Sequence, residues 1–334
     1  MTYIIAECGV NHNGSIELAK RLIDEACKAG CDAVKFQTFK TENLVTDYAE
    51  KANYQKENTG NEESQFEMLK KLELSNEAHI ELIEYCNTKK IEFLSTPFDS
   101  DSAEFLEKLE IRKYKIGSGE ITNKPLLKKI AKFNKPIILS TGMSSLGEVE
   151  EALNWLREEG NNDITLLHCT SNYPTRYEDV NLRAMETMKI AFKTEVGYSD
   201  HTEGIEIAIA AVSMGSSMIE KHLTLDKNME GPDHKASLEP REFGEMVRQI
   251  RNVEKSIGDG IKRAVEAEKS TRDVARKSIV SKKDIKIGER LTEENLTVKR
   301  PGTGMKPSEM DFIVGKIARN EIQKDSIIKM QDIE

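Results

Sequence analysis

The chain has 334 residues, with 49 Lys+Arg against 58 Asp+Glu for a formal net charge of −9, and 38% of its residues are hydrophobic. That length supports a large core and, by the usual size of domains, one large domain plus a smaller one; apolar runs recur too regularly for a disordered chain. The acidic balance argues against nucleic acid or an anionic membrane as partner, and no apolar stretch approaches the roughly 18–20 residues that span a bilayer.

From residue 3 a short β-rich apolar run is followed by a longer stretch of helical spacing, and the pattern recurs eight times before about residue 260. The predicted strands are 3–10, 33–39, 91–98, 114–118, 136–142, 164–170, 195–201 and 218–225. Predicted helices between them include 17–30, 76–90, 145–160, 205–215 and 239–257. No basic segment precedes the first strand, so it reads as structure rather than as a leader, and a cytoplasmic protein is expected. Alternating βα units imply a parallel sheet, because each strand needs a crossover helix to return. Eight of them predict a (β/α)8 TIM barrel over residues 1–260. An open doubly wound sheet is the alternative, but no dinucleotide glycine fingerprint opens the first unit.

Residues 40–73 form a long polar connection, expected to be a functional lid or a partly helical insertion. Residues 261–276 are strongly charged and read as a linker, helical from 262. Over 277–334 short β-like runs at 278–280, 296–298, 313–314 and 327–329 alternate with turn signals, which predicts a second, small β-rich domain. Five cysteines, Cys8, Cys27, Cys31, Cys86 and Cys169, are odd in number and sparse, against a disulfide framework.

Barrel enzymes carry their chemistry at the C-terminal ends of the strands, where side chains alternate between faces. In Val34-Lys35-Phe36-Gln37 the apolar residues face the helices, and Lys35 and Gln37 point into the mouth. Strand four ends Lys115-Ile116-Gly117-Ser118-Gly119-Glu120, strand five at Ser140 and Thr141, and strand six at His168-Cys169-Thr170-Ser171-Asn172-Tyr173. Two inward lysines on one barrel call for an anion to offset their desolvation. His201 and His222 end adjacent strands about 4.8 Å apart, so they can meet one divalent cation or serve as ordinary core histidines. His168, deeper in its strand, reads as structural.

At this point the residues resemble the sialic acid synthases, which condense phosphoenolpyruvate with an N-acetylmannosamine-type sugar. The resemblance runs from Ile5-Ala6-Glu7-Cys8-Gly9-Val10-Asn11-His12-Asn13-Gly14 through Val34-Lys35-Phe36-Gln37-Thr38 and Lys115-Ile116-Gly117-Ser118-Gly119-Glu120. It continues through Leu139-Ser140-Thr141-Gly142-Met143, Gly197-Tyr198-Ser199-Asp200-His201 and Glu220-Lys221-His222 to Gly231-Pro232-Asp233-His234. The tail, with Lys299-Arg300-Pro301-Gly302-Thr303-Gly304, resembles the antifreeze-like (SAF, β-clip) domain that ends these synthases.

The resemblance implies that His201 and His222 hold a divalent metal, typically Mn²⁺, with Mg²⁺ or Co²⁺ as substitutes. Lys35, Lys115, Ser118, Ser140, Ser171 and His222 match positions around phosphoenolpyruvate, although many relatives carry Asn where Ser171 stands. Gln37, Glu120, Tyr173 and Asp233 match positions around the sugar. It further implies a domain-swapped homodimer in which Arg300 reaches the sugar's N-acyl group across the dimer. Water must add to carbon 2 of phosphoenolpyruvate, and the carboxylate expected to manage its proton is Glu120, with Glu7 second. Lys115 is the third residue expected to act in the reaction. The segment Lys51-Ala52-Asn53-Tyr54-Gln55 is closest to the branch that makes N,N'-diacetyllegionaminate; N-acetylneuraminate and pseudaminate are the other products considered. A Schiff-base lyase using Lys35, Lys115 or Lys221 is an alternative from another class.

Overall fold

Period-two alternation builds the strands. In β1 (Tyr3–Gly9), Ile4, Ala6 and Cys8 join the layer packed beneath the helices, whereas Tyr3 and Ile5 join a separate interior cluster. The remaining strands of this unit are β2 (Ala33–Thr38), β3 (Glu92–Pro97), β4 (Tyr114–Ile116), β5 (Ile137–Ser140), β6 (Ile164–His168), β7 (Glu195–Asp200) and β8 (Met218–His222). They pair in parallel in the order β3-β2-β1-β8-β7-β6-β5-β4, and β3 and β4 lie side by side at the seam of a (β/α)8 barrel. This computed structural model describes every residue from Met1 to Glu334 except Asn61. The chain divides into two compact units, Met1–Gly258 and Asp259–Glu334.

Helix α1 (Ile16–Ala29) starts where the Ser15 hydroxyl accepts the Leu18 N–H and stops at Gly30, whose φ of 83° a side chain would resist. Three short helices follow β2: α2 (Thr41–Leu44), α3 (Asn53–Thr59) and α4 (Gln65–Leu72). The long connection is therefore a helical insertion. Met68 and Leu72 of α4 pack on Val10, and α3 buries nothing in the core. Glu73 ties the insertion down, accepting from Lys40 Nζ at 2.7 Å and from Thr41 N at 3.2 Å. Then α5 (Asn76–Lys89) leads into β3, and α6 (Ser100–Lys108), α7 (Lys124–Ala131), α8 (Leu146–Glu158), α9 (Arg183–Phe192), α10 (Glu206–Ser213) and α11 (Pro240–Ile257) follow β3 to β8, one after each strand. Among the described residues no helix is long and apolar enough to cross a membrane.

The barrel interior is layered. Ile5, Ala33, Leu94, Ile138, Leu167 and Met218 form an apolar plug, each buried Ile, Leu or Met side chain contributing about 1.5–3 kcal/mol. Two residues further along the same strands stand Glu7, Lys35, Thr96, Ser140, Cys169 and Glu220. The pleat thus sets a chemically reactive floor directly on a hydrophobic one.

In the second unit, α12 (Lys269–Ala275) precedes β9 (Ser278–Ser281), which pairs antiparallel with β10 (Leu296–Lys299). Ile279, Ile285, Leu291, Leu296, Ile322 and Ile328 are among the residues of its own core. Two expectations differ from the structure. The helix over 262–276 is confined to α12 after a turn at Glu266–Glu268; none of residues 262–276 is buried, so no packed face extends the helix beyond two turns. The β-like pair 313–314 lies instead at the end of α13 (Met310–Ile313), where Ile313 is fully buried in the core.

Candidate active site

The floor above the plug carries four charges. Parallel register sets Glu7 opposite Lys35, and Lys35 Nζ lies 2.6 Å from Glu7 Oε2 and 3.4 Å from Glu220 Oε2. Lys115 Nζ lies 3.5 Å from Glu220 Oε1, which also accepts the Ser199 hydroxyl at 2.9 Å. All four charged side chains are buried. Burial pushes the Glu7 carboxyl up to about 7 against the pull of Lys35, with the Glu220 charge adding to the rise. Burial would raise Glu220 as well, but Lys115 and Lys35 together hold it below the usual carboxylate range. Desolvation would lower Lys35; the charges of Glu220 and Glu7 outweigh it and keep its ammonium charged, whereas burial holds Lys115 below the usual lysine range.

The β1–β2 register gives Glu7 an ion-pair partner in Lys35. Lys221, an expected Schiff-base alternative, points the other way. Its ammonium is fully buried outside the barrel, 2.8 Å from Asp200 Oδ2 and 2.6 Å from the Thr202 carbonyl. It is therefore no part of the interior set.

Beside the charged floor lies an aromatic group. The rings of His201 and His222 are 5.5 Å apart at 70°, and Tyr173 is 4.2 Å from His201 and 5.6 Å from His222. His201 Nδ1 is 2.8 Å from the Thr170 carbonyl, which can only accept; the proton therefore sits on Nδ1 and Nε2 carries the lone pair, with the Ser199 hydroxyl 3.3 Å away. Burial lowers His201 to about 4 and holds His222 well below the usual histidine range, so both imidazoles are neutral. His222 Nδ1 is buried with no hydrogen-bond partner among the described residues, 3.7 Å from Asp233 Oδ2. Two neutral imidazoles at this spacing, one with an orphaned nitrogen, can serve as nitrogen ligands of a divalent cation. No cluster of three or more His, Cys, Asp or Glu ligands occurs among the described residues, so other ligand positions would fall to water or substrate.

Ser118 lies at the rim, accepting the Gly142 N–H at 2.9 Å and meeting Cys169 Sγ at 3.2 Å. A Cβ on Gly142 would strike the Ser171 hydroxyl and come within 2.8 Å of Ser118 Oγ, so the glycine lets these two serines converge. Ser140 Oγ, buried on the floor, has no hydrogen-bond partner among the described residues. Gln37 stands one inward step above Lys35, with its amide close to Gly9. Glu120 sits in the Ser118–Glu120 turn after β4, half-buried, accepting from Asn123 Nδ2 at 2.6 Å, and burial raises its carboxyl. His168 Nε2 is bonded to the Val180 carbonyl at 2.7 Å and is structural. Arg300 belongs to the second unit, exposed just beyond β10.

Sequence reasoning met Glu220, Thr96, Ser199 and Tyr54 only within longer motifs and gave none of them a role at the site. Glu220 shares its inward phase with His222 two residues on, a signal that was available. Tyr54, on α3, stacks 5.0 Å from Tyr173, a contact between distant segments that no spacing reveals.

The fold and the site have known counterparts. N,N'-diacetyllegionaminic acid synthase of Campylobacter jejuni is 54% identical over 330 residues, 98% of this chain and 99% of that one. The protein of the same name in Legionella pneumophila is 46% identical over 99% of this chain and 94% of its own. The crystal structure of N-acetylneuraminic acid synthetase from Leptospira borgpetersenii superposes with a TM-score of 0.71 at 34% identity, covering 81% of this chain and 90% of that one. With the NeuB family matched over residues 22–262 and a SAF domain over 276–334, the chain belongs to the NeuB family.

Proposed function

We propose that this chain is a metal-dependent synthase of the transferase class that joins phosphoenolpyruvate to an N-acylated mannosamine-type sugar, giving a nine-carbon 2-keto sugar acid and phosphate. The observation that carries the reading is the pairing of Lys35 and Lys115 with Glu7 and Glu220, next to the neutral His201–His222 pair. Phosphoenolpyruvate carries a carboxylate and a phosphate, and two desolvated ammoniums with the Ser118 and Ser140 hydroxyls can bind and orient both. A divalent metal bound at His201 and His222 would supply Lewis-acid polarisation of the acceptor's aldehyde oxygen.

Held in this way, carbon 3 of phosphoenolpyruvate bonds to the aldehyde carbon, water adds at carbon 2, and the C–O bond to phosphate breaks. Glu7 is the group this reading assigns to the water's proton. It is buried beside Lys35 and poised between its two protonation states near neutrality, which supports it ahead of the rim residue Glu120. Gln37, Glu120, Tyr173 and Asp233 are assigned to the sugar. The names of the two relatives described above favour N,N'-diacetyllegionaminate as product over N-acetylneuraminate.

The test is phosphate release from phosphoenolpyruvate and Mn²⁺ with 2,4-diacetamido-2,4,6-trideoxymannose or N-acetylmannosamine, with and without EDTA. Release that requires a sugar and stops on chelation is expected, and the higher kcat/KM names the acceptor. Because burial lowers Lys115, the Schiff-base alternative has an observation of its own. Borohydride trapping of the protein with pyruvate would support it, and none is expected.

A further inference from the structure

Three rings form a ladder leading away from the histidine pair. Tyr173 lies 4.2 Å from His201, and Tyr54 lies a further 5.0 Å from Tyr173, tilted by 35°. Tyr54 comes from the insertion after β2, on a helix that contributes no residue to the core, so packing alone gives its ring no reason to be there. That helix is nonetheless fixed. Asn58 Nδ2 donates to the Pro232 carbonyl at 2.7 Å, tying α3 to the loop that carries Asp233. The buried Lys51 ammonium closes the helix from beneath, donating to Thr59 Oγ1 at 2.9 Å and to the Gly60 carbonyl at 3.2 Å. Burial raises the Tyr54 hydroxyl, and the Asp233 carboxylate, which follows Pro232 directly, adds to the rise.

An open-chain acceptor with its aldehyde at the histidine pair would run along this ladder and meet Tyr54 at its far end. Aromatic faces suit methyl and C–H surface, and a hydroxyl buried against them without a partner is disfavoured. We propose that Tyr54 sets acceptor choice, its ring forming the wall for a methyl-bearing distal end, acetamido and deoxy, against one that carries free hydroxyls. This inference rests on the synthase reading above.

The experiment compares kcat/KM for 2,4-diacetamido-2,4,6-trideoxymannose and N-acetylmannosamine in wild type, Tyr54→Phe, Tyr54→Leu and Tyr54→Ala, at saturating phosphoenolpyruvate and Mn²⁺. Wild type is expected to prefer the diacetamido sugar, and Tyr54→Ala to reduce that preference by about tenfold or more, chiefly through the acceptor KM. Tyr54→Phe retains the ring and should retain the preference, and the KM for phosphoenolpyruvate should not move. If Tyr54→Ala fails to fold by circular dichroism, Tyr54→Leu must show the loss. A folded variant lacking the ring with an unchanged ratio, whether both sugars are slowed together or neither is, overturns the inference. So does a wild type that prefers N-acetylmannosamine. Wild type that releases phosphate with no sugar at all overturns the synthase reading itself, and the inference falls with it.

Discussion

Glu7 and Glu120 differ in what surrounds them more than in where they stand along their strands. Glu7 is enclosed by two lysines and a second carboxylate, so it can exchange a proton near neutral pH, whereas Glu120 is partnered by an amide at the rim. Glu7→Gln should therefore lower kcat by about 10²–10⁴-fold with little change in the acceptor KM. Glu120→Gln should act in the opposite way, raising the acceptor KM by about tenfold and leaving kcat nearly intact. Steady-state kinetics of both variants separates the assignments. Near-normal turnover by Glu7→Gln would return the proton to Glu120.

The insertion after β2 is held at one point by Glu73, whose carboxylate receives Lys40, Thr41 and Lys70. Burial would raise its pKa, but those partners bring it down to about 2 from 4.5. A depressed carboxylate stabilises the fold fully above its unfolded value and loses that contribution as pH falls from 4.5 towards 2; with Lys40 and Lys70 half exposed to solvent the contribution is about 1 kcal/mol. Hydrogen exchange over residues 40–73 should accelerate in that window, and Glu73→Gln should show the same loosening at pH 7. Equal protection in the variant would remove Glu73 as the anchor.

The strands and the long helices could be read from the sequence, because one face of each must be apolar. The short helices α2 to α4 were legible only as a partly helical insertion, and α3, which adds nothing to the core, leaves no periodic trace. For the same reason the inward phase of Lys35, Lys115, His201 and His222 was readable. The Glu7–Lys35 pairing was not, because it depends on the register between strands that lie 28 residues apart in the chain.

At the scale of the whole molecule, each unit has a hydrophobic core of its own, and Arg300 stands on the second. We extend the proposed reading to a homodimer in which the partner's Arg300 contacts the acyl group. Mixed dimers of His201→Ala and Arg300→Ala chains should then regain about half of wild-type activity, since one of the two sites is whole. If Arg300 serves its own protomer, the mixture stays as inactive as its parents. A coupled assay on doubly tagged, purified mixed dimers decides between them.

The three consecutive residues Glu220, Lys221 and His222 give β8 no position to spare. The first faces the lysines, the second a buried aspartate outside the barrel, and the third the imidazole of β7. A one-residue insertion or deletion within β8 would turn every side chain to the opposite face. It would strand an ammonium inside the barrel and two acceptor groups outside it, so fold and site would fail together. Length variation in descendants of this chain should therefore collect in the loops on either side of β8, never within it.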